Sequence, residues 1–205
     1  MALPKLETKT YTLTLPSTGK DIQYRPFLVK EQKTLMMAQE SKDEKEIMNA
    51  VAALIETCTF GKVDVHKCPL FDAEYIFLRV RGKSVGDKVD LVATCPDDKE
   101  TKVNFTLDLN DIQVQMTDEH TNTVEINDEV KMVFNYPILS STTAYAKDQR
   151  ADIMFDVVRD CVSEIHFGGD IYNKVDMSNK ELNDFIESLD TEQFKKVLNF
   201  FESMP

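Results

Sequence analysis

Lys88-Val89-Asp90-Leu91-Val92-Ala93-Thr94-Cys95-Pro96-Asp97-Asp98 is the stretch that decides the fold class. Val89, Leu91 and Ala93 recur two residues apart, the period of a half-buried strand. Cys95-Pro96-Asp97-Asp98 punctuates the run as a turn, and Val103, Phe105, Leu107 and Leu109 alternate again beyond it. Apolar residues two apart cannot line one face of a helix, so the two runs predict an antiparallel pair. Ile112, Val114 and Met116 form a further alternating run. Val124 and Ile126 then face Val130, Met132 and Phe134 across Asn127-Asp128-Glu129. Lys88 to Tyr136 therefore reads as roughly five antiparallel strands with short turns.

Upstream, Tyr11, Leu13 and Leu15 alternate with Thr10, Thr12 and Thr14, and Pro16-Ser17-Thr18-Gly19 makes a turn. Ile22 to Phe27 supplies a second strand, which Pro26 ends, and a lone hairpin of this size must pack on something. Glu31 to Glu40 carries Leu35, Met36 and Met37 among good helix formers. After the charged break Ser41–Glu46, Asp43 caps a second helix, with Glu46 completing a capping-box-like pattern. Ile47, Ala50, Val51, Leu54, Ile55 and Cys58 form its apolar face, and Gly61 stops it. Phe71 to Arg81 suits a strand by its Tyr75, Ile76, Phe77 and Val80. Its length and Glu74 in the first turn favour a helix, with Asp72 as cap and Gly82 and Gly86 as a following turn.

Downstream, Ile153, Val157, Cys161 and Ile165 stand four apart, widened by Met154, Val158 and Val162, and predict a helix that Gly168-Gly169 ends. Ser178-Asn179-Lys180-Glu181 is a capping box ahead of Leu182, Phe185, Ile186 and Leu189. Asp190 caps a further helix carrying Phe194, Val197, Leu198 and Phe201, and the pair predicts an antiparallel helical hairpin. The fold class is α+β: an N-terminal β-hairpin with helices over 1–86, an antiparallel β-rich insert over 87–137 and a C-terminal helical region over 138–205. These are expected to make one or two compact units.

The chain of 205 residues holds 36 acidic against 24 basic side chains, a formal charge of −12. Such a balance argues against gripping nucleic acid or an anionic membrane, which calls for a basic patch. An apolar fraction of 42% argues against wholesale disorder. Met1 to Tyr11 has no apolar core of a signal peptide, and no run approaches the ~20 apolar residues that span a bilayer. Neither a GxGxxG nor a GxxxxGK loop, a GxSxG elbow or an HExxH pair occurs. His66, His120 and His166 lie in separate segments. No enzyme, no catalytic residue, no cofactor and no small-molecule substrate are expected.

Cys58, His66, Cys68 and Cys95 are of the right type for zinc, but their spacing is poor. Where a zinc knuckle places a second Cys after Cys95-Pro96, Asp98 stands instead, so the turn is expected to be metal-free. In a reducing compartment Cys58, Cys68, Cys95 and Cys161 are expected to be free thiols, with Cys58 a core residue before a reactive one. Asp148, Asp152, Asp156 and Asp160 share one helix face, either a solvated surface or a docking surface for a basic partner. Leu35, Met36 and Met37, and Phe200 with Phe201 near the end of the chain, are either core filling or an adaptable partner-binding surface. Leu35, Met36, Met37, Asp152, Asp156, Phe200 and Phe201 are thus the candidate partner-binding residues.

Several stretches carry a family resemblance. They are Leu3-Pro4-Lys5-Leu6, Leu15-Pro16-Ser17-Thr18-Gly19 and Tyr24-Arg25-Pro26-Phe27-Leu28-Val29-Lys30-Glu31-Gln32-Lys33. Cys58-Thr59-Phe60-Gly61, Phe71 to Leu78, Arg81-Gly82-Lys83-Ser84-Val85-Gly86, Cys95-Pro96 and the tail from Glu181-Leu182 to Met204-Pro205 continue it. Together they resemble the T4-type phage baseplate hub assembly proteins across essentially the whole chain, most specifically in the N-terminal block. Some relatives carry a second Cys after the Cys95-Pro96 turn, and Asp98 departs from that pattern. The resemblance implies a non-enzymatic assembly factor, a chaperone for the baseplate hub of a contractile-tailed myovirus. The alternative it leaves is a structural hub subunit retained in the virion. Other baseplate hub proteins are the implied partners, met in the host bacterial cytoplasm during tail assembly or, for a retained subunit, in the virion baseplate.

Overall fold

The computed structural model describes residues 6–117, 120–139 and 151–205, the last with side chains from residue 154 onward. The fold is α+β and divides into two compact units, Met1–Val114 and Gln115–Pro205. The division falls inside the segment 87–137.

In the first unit, β1 (Tyr11–Thr14) and β2 (Asp21–Tyr24) form the expected antiparallel hairpin, with Leu13 opposite Ile22. β2 stops short of the predicted Phe27 because the Arg25 N–H leaves the ladder and donates to the Cys58 carbonyl at 2.9 Å. Three helices follow: α1 (Val29–Ser41), α2 (Glu44–Cys58) and α3 (Leu70–Val85). Asp43 caps α2 through backbone donors of Lys45 and Glu46. The reciprocal half of the predicted box is pre-empted, since the Asp43 N–H donates to Ser41 Oγ at 3.2 Å. Leu54, Ile55 and Cys58 of α2 and Ile76 and Val80 of α3 are buried, as are Leu13 and Tyr24 of the hairpin.

The ambiguous segment from Phe71 is helical, but it is longer than predicted and capped elsewhere. Pro69 precedes its first turn, Asp72 lies inside it, and the helix runs through Gly82 to Val85. Gly82 is therefore a helix residue; a Cβ there would sit 2.6 Å from Asp87 Oδ1. Gly86, at φ 112°, makes the actual exit. Asp72 is 1% exposed and accepts from the backbone N–H of Ser17 at 3.0 Å and from the Ser17 hydroxyl. What the sequence marks as a cap is a tether between α3 and the β1–β2 turn.

β3 (Lys88–Thr94) and β4 (Lys102–Asp108) pair in the register the alternation predicts, Val89 with Leu107, Leu91 with Phe105 and Ala93 with Val103. Their ribbon is a two-stranded sheet by itself. The run Ile112–Met116 is not a strand. Arg79 takes its place in the hydrogen bonding, donating to the carbonyls of Leu109 at 2.7 Å and Ile112 at 2.6 Å.

The second unit is built on one antiparallel sheet in the order β5-β6-β7-β8: β5 (Thr123–Glu125), β6 (Val130–Phe134), β7 (Val162–Phe167) and β8 (Asp170–Asn173). The β5–β6 hairpin is the predicted one, with Val124 opposite Met132 and the Asn127 side chain accepting from Glu129 and Val130. The β-rich insert is thus not one sheet: β3 and β4 stand apart, and β5 and β6 are completed from the segment predicted to be wholly helical.

α4 (Ala151–Cys161) ends where β7 begins, so Val162 and Ile165 are strand residues and not the last turn of a helix. Gly168 and Gly169, at φ 59° and 95°, join Phe167 to its partner Asp170 as a two-residue hairpin. Only glycine adopts that pair of left-handed conformations without steric cost, and the resulting turn matches the twist of its strands. A short 3-10 turn (Lys174–Asp176), α5 (Asn179–Glu187) and α6 (Thr191–Glu202) follow. Both predicted caps form boxes, Ser178 with Glu181 and Asp190 with Gln193. Met132, Phe134, Val162 and Ile165 of the sheet pack with Val158, Leu182, Ile186, Val197 and Phe200 into one core. Among the described residues no helix is long and apolar enough to cross a membrane.

Candidate partner-binding surfaces

α1 is held from its first turn by charge more than by apolar packing. Its buried residues are Glu31 and Ala38. The Glu31 carboxylate accepts from Arg25 at 3.0 Å and from the Leu28 N–H at 2.6 Å. Burial pushes that carboxyl up, but the bonds from Arg25 and Leu28 outweigh it and hold the group below the ordinary range. Turning Glu31 and Ala38 inward leaves Met36 and Met37 outward, 54% and 61% exposed, while Leu35 is half-buried. Met36 and Met37, with Val29, Gln32, Lys33 and Glu40, line a shallow groove of about 320 Å³.

The β3–β4 ribbon presents a second apolar surface, one that alternation alone did not single out. Its pairing puts Val89, Leu91, Ala93, Val103, Phe105 and Leu107 on one face and Asp90, Val92, Thr94, Lys102, Asn104 and Thr106 on the other. Alternation announces a face to be buried, yet Val103 and Phe105 are 52% and 44% exposed. Sidedness is legible in sequence; what covers the side is not. The tip of the ribbon is firmly closed. Asp98 accepts from the backbone of Glu100 at 3.0 Å and of Thr101 at 2.9 Å, and from the Thr101 hydroxyl. Those bonds hold its carboxyl at about 2. The residue standing in the place of a second Cys is thus the one that closes this turn.

In the second unit the two candidate phenylalanines part company. Phe200 is 3% exposed, its ring stacked on His120 at 5.0 Å and Phe134 at 5.1 Å. It is a core residue and is withdrawn from the candidate surface. Helical geometry points adjacent residues about 100° apart, so Phe201 packs at the margin of that core and stays partly exposed. Phe201 is half-buried, edge-on to Phe134, and lines an apolar groove of about 360 Å³ with Pro137, Met154, Val157, Leu198 and Met204.

Asp148 and the side chain of Asp152 lie outside the described residues. Asp156 and Asp160 are exposed on α4, but the row of like charge is broken, because Arg159 pairs with both. Burial pushes the thiols of Cys58 and Cys68 up to about 11 and that of Cys161 to about 12. His166 pairs with Glu164 at 2.8 Å, and His120 with the Ser203 hydroxyl at 2.8 Å. Among the described residues no three His, Cys, Asp or Glu side chains are grouped so as to hold a metal ion.

A family model described as T4 bacteriophage base plate protein matches residues 8–205. No curated protein and no solved structure matches the chain significantly.

Proposed function

The chain belongs to the T4 bacteriophage base plate protein family, and on that premise we propose that it is a non-enzymatic assembly factor for the baseplate hub of a contractile-tailed, T4-like phage. It binds another hub protein in the host cytoplasm, covers an interface of that protein, and leaves when the hub closes. The observation that carries this reading is the exposed apolar face of the β3–β4 ribbon. A two-stranded ribbon is marginal in water by itself, and a partner seated on Leu91, Val103 and Phe105 completes it. Fully burying a side chain the size of Val or Phe is worth about 1.5–3 kcal/mol, so a few such contacts support a specific yet reversible complex. The methionines of α1 supply a second, adaptable contact.

The test is recovery of hub proteins on a tagged copy from infected cells. The wild-type chain is expected to bring down a hub protein, and Phe105→Asp with Val103→Asp to lose it at least tenfold while the circular dichroism stays unchanged. Recovery of no tail or hub protein by the wild type sinks the proposal. Mass spectrometry of purified virions separates the two roles: a factor that leaves is missing from them, and stoichiometric copies would establish a structural hub subunit instead.

A further inference from the structure

We infer that β8 is a self-association edge, pairing antiparallel with β8 of a second copy about Tyr172 so that one sheet runs through two protomers. This is independent of the hub reading, which rests on the ribbon of the other unit. β8 is terminal in the order β5-β6-β7-β8, and all four of its residues are exposed. The two-residue turn at Gly168-Gly169 makes Phe167 and Asp170 a hydrogen-bonded pair. Bonding direction alternates along a strand, so Asp170 and Tyr172 point their backbone groups at β7, and Ile171 and Asn173 point theirs outward.

A twofold centred on Tyr172 sets Ile171 opposite Asn173 of the second copy, and both are outward residues. The donors and acceptors of each therefore meet those of the other. The same register sets Asp170 opposite Lys174. Asn173 is still extended, at φ −83° and ψ 142°, so Lys174, the first residue of the 3-10 turn, follows directly on the end of the strand. The Lys174 ammonium donates one proton to the Asp160 carbonyl and keeps two for a carboxylate. Two opposite-charge pairs then flank the axis, one on each side, where a register shifted by two residues would lose them. Tyr172, 46% exposed, is covered by its counterpart, the two rings meeting as a cross-strand pair, and Ile171, 58% exposed, is covered by Asn173 of the second copy. The strand has no proline or bulge, and its one charged residue, Asp170, which shares the core-side face of Ile165, is neutralised in this register by Lys174 of the second copy. At four residues it is short, so the dimer is weak and depends on concentration.

Sedimentation velocity of the full chain, from micromolar to sub-millimolar concentration, tests this. The wild type is expected to move from monomer to dimer across that range. Ile171→Pro deletes an N–H that faces away from β7, so it is expected to stay monomeric with an unchanged thermal transition. Asp170→Lys sets like charges opposite each other and is expected to weaken the dimer at least tenfold, and Asp170→Lys with Lys174→Asp to restore it. A wild type that stays monomeric throughout overturns the inference. So does a dimer that persists in Ile171→Pro, or an Asp170→Lys dimer as tight as the wild type.

Discussion

Asp72 shows what one buried carboxylate does for the first unit. Its oxygens satisfy the backbone N–H and hydroxyl of Ser17, fifty-five residues away in sequence, and water does not reach it. Asp72→Ala removes both bonds and leaves the turn's donors without partners, so a loss of about 1–3 kcal/mol is expected in urea unfolding. Ser17→Ala, which removes only one bond, should lose less. Glu31 adds a pH dependence whose sign is fixed. Its carboxyl titrates below the ordinary range in the folded chain, so its contribution is present above the unfolded value and is lost as pH falls through the folded one. Urea midpoints taken from neutral pH downward should fall in that window, and Glu31→Gln should flatten part of the fall. Among the thiols, Cys58 and Cys161 are buried, whereas Cys68 and Cys95 are half-buried, Cys95 at the ribbon turn. A thiol reagent should modify half-buried Cys95 and Cys68 in the folded chain, and buried Cys58 and Cys161 only at the rate of unfolding, read by peptide mapping.

At the scale of elements, the junction of α4 with β7 separates what periodicity reports from what it does not. Cys161 and Ile165, four apart, both reach the core, Cys161 as the last residue of a helix and Ile165 from the middle of a strand. The spacing is therefore satisfied by either structure, and the decisive signal is local: Gly168-Gly169 between Phe167 and Asp170 is a hairpin turn before it is a helix stop. Gly169→Val, at φ 95°, should cost about 1–2 kcal/mol of unit stability by thermal unfolding. The β5–β6 hairpin, α2 and the capped helices α5 and α6 were legible because caps and turns act within a few residues. The end of β2 and the missing strand at Ile112 were not, since each is set by a distant partner, Cys58 and Arg79; the length of α3 was missed because Gly82 reads as a turn while the helix runs through it to its exit at Gly86. The candidate surface divides in the same way. Met36 and Met37 could be named from composition, but telling Phe201 from its buried neighbour Phe200 needed the sheet on which α6 lies.

Across the whole molecule, each unit has its own core, so stability is a property of two bodies. Met132 is wholly buried between β5 and β7. Met132→Ala should cost the second unit about 2–5 kcal/mol. In native-state hydrogen exchange, protection should fall for amides of β6 and β7 and hold for those of α2 and α3. A uniform fall along the chain would show one cooperative unit instead of two.

The pairing of β6 with β7 also orders events during synthesis. Val130 finds its neighbour only when Phe167 has been made, and the helices that cover the sheet come later still. Every residue of the β3–β4 ribbon precedes them. A chain emerging from the ribosome therefore completes the ribbon while the second unit is still an open sequence, so the ribbon's apolar face is presented to its surroundings before the second core exists.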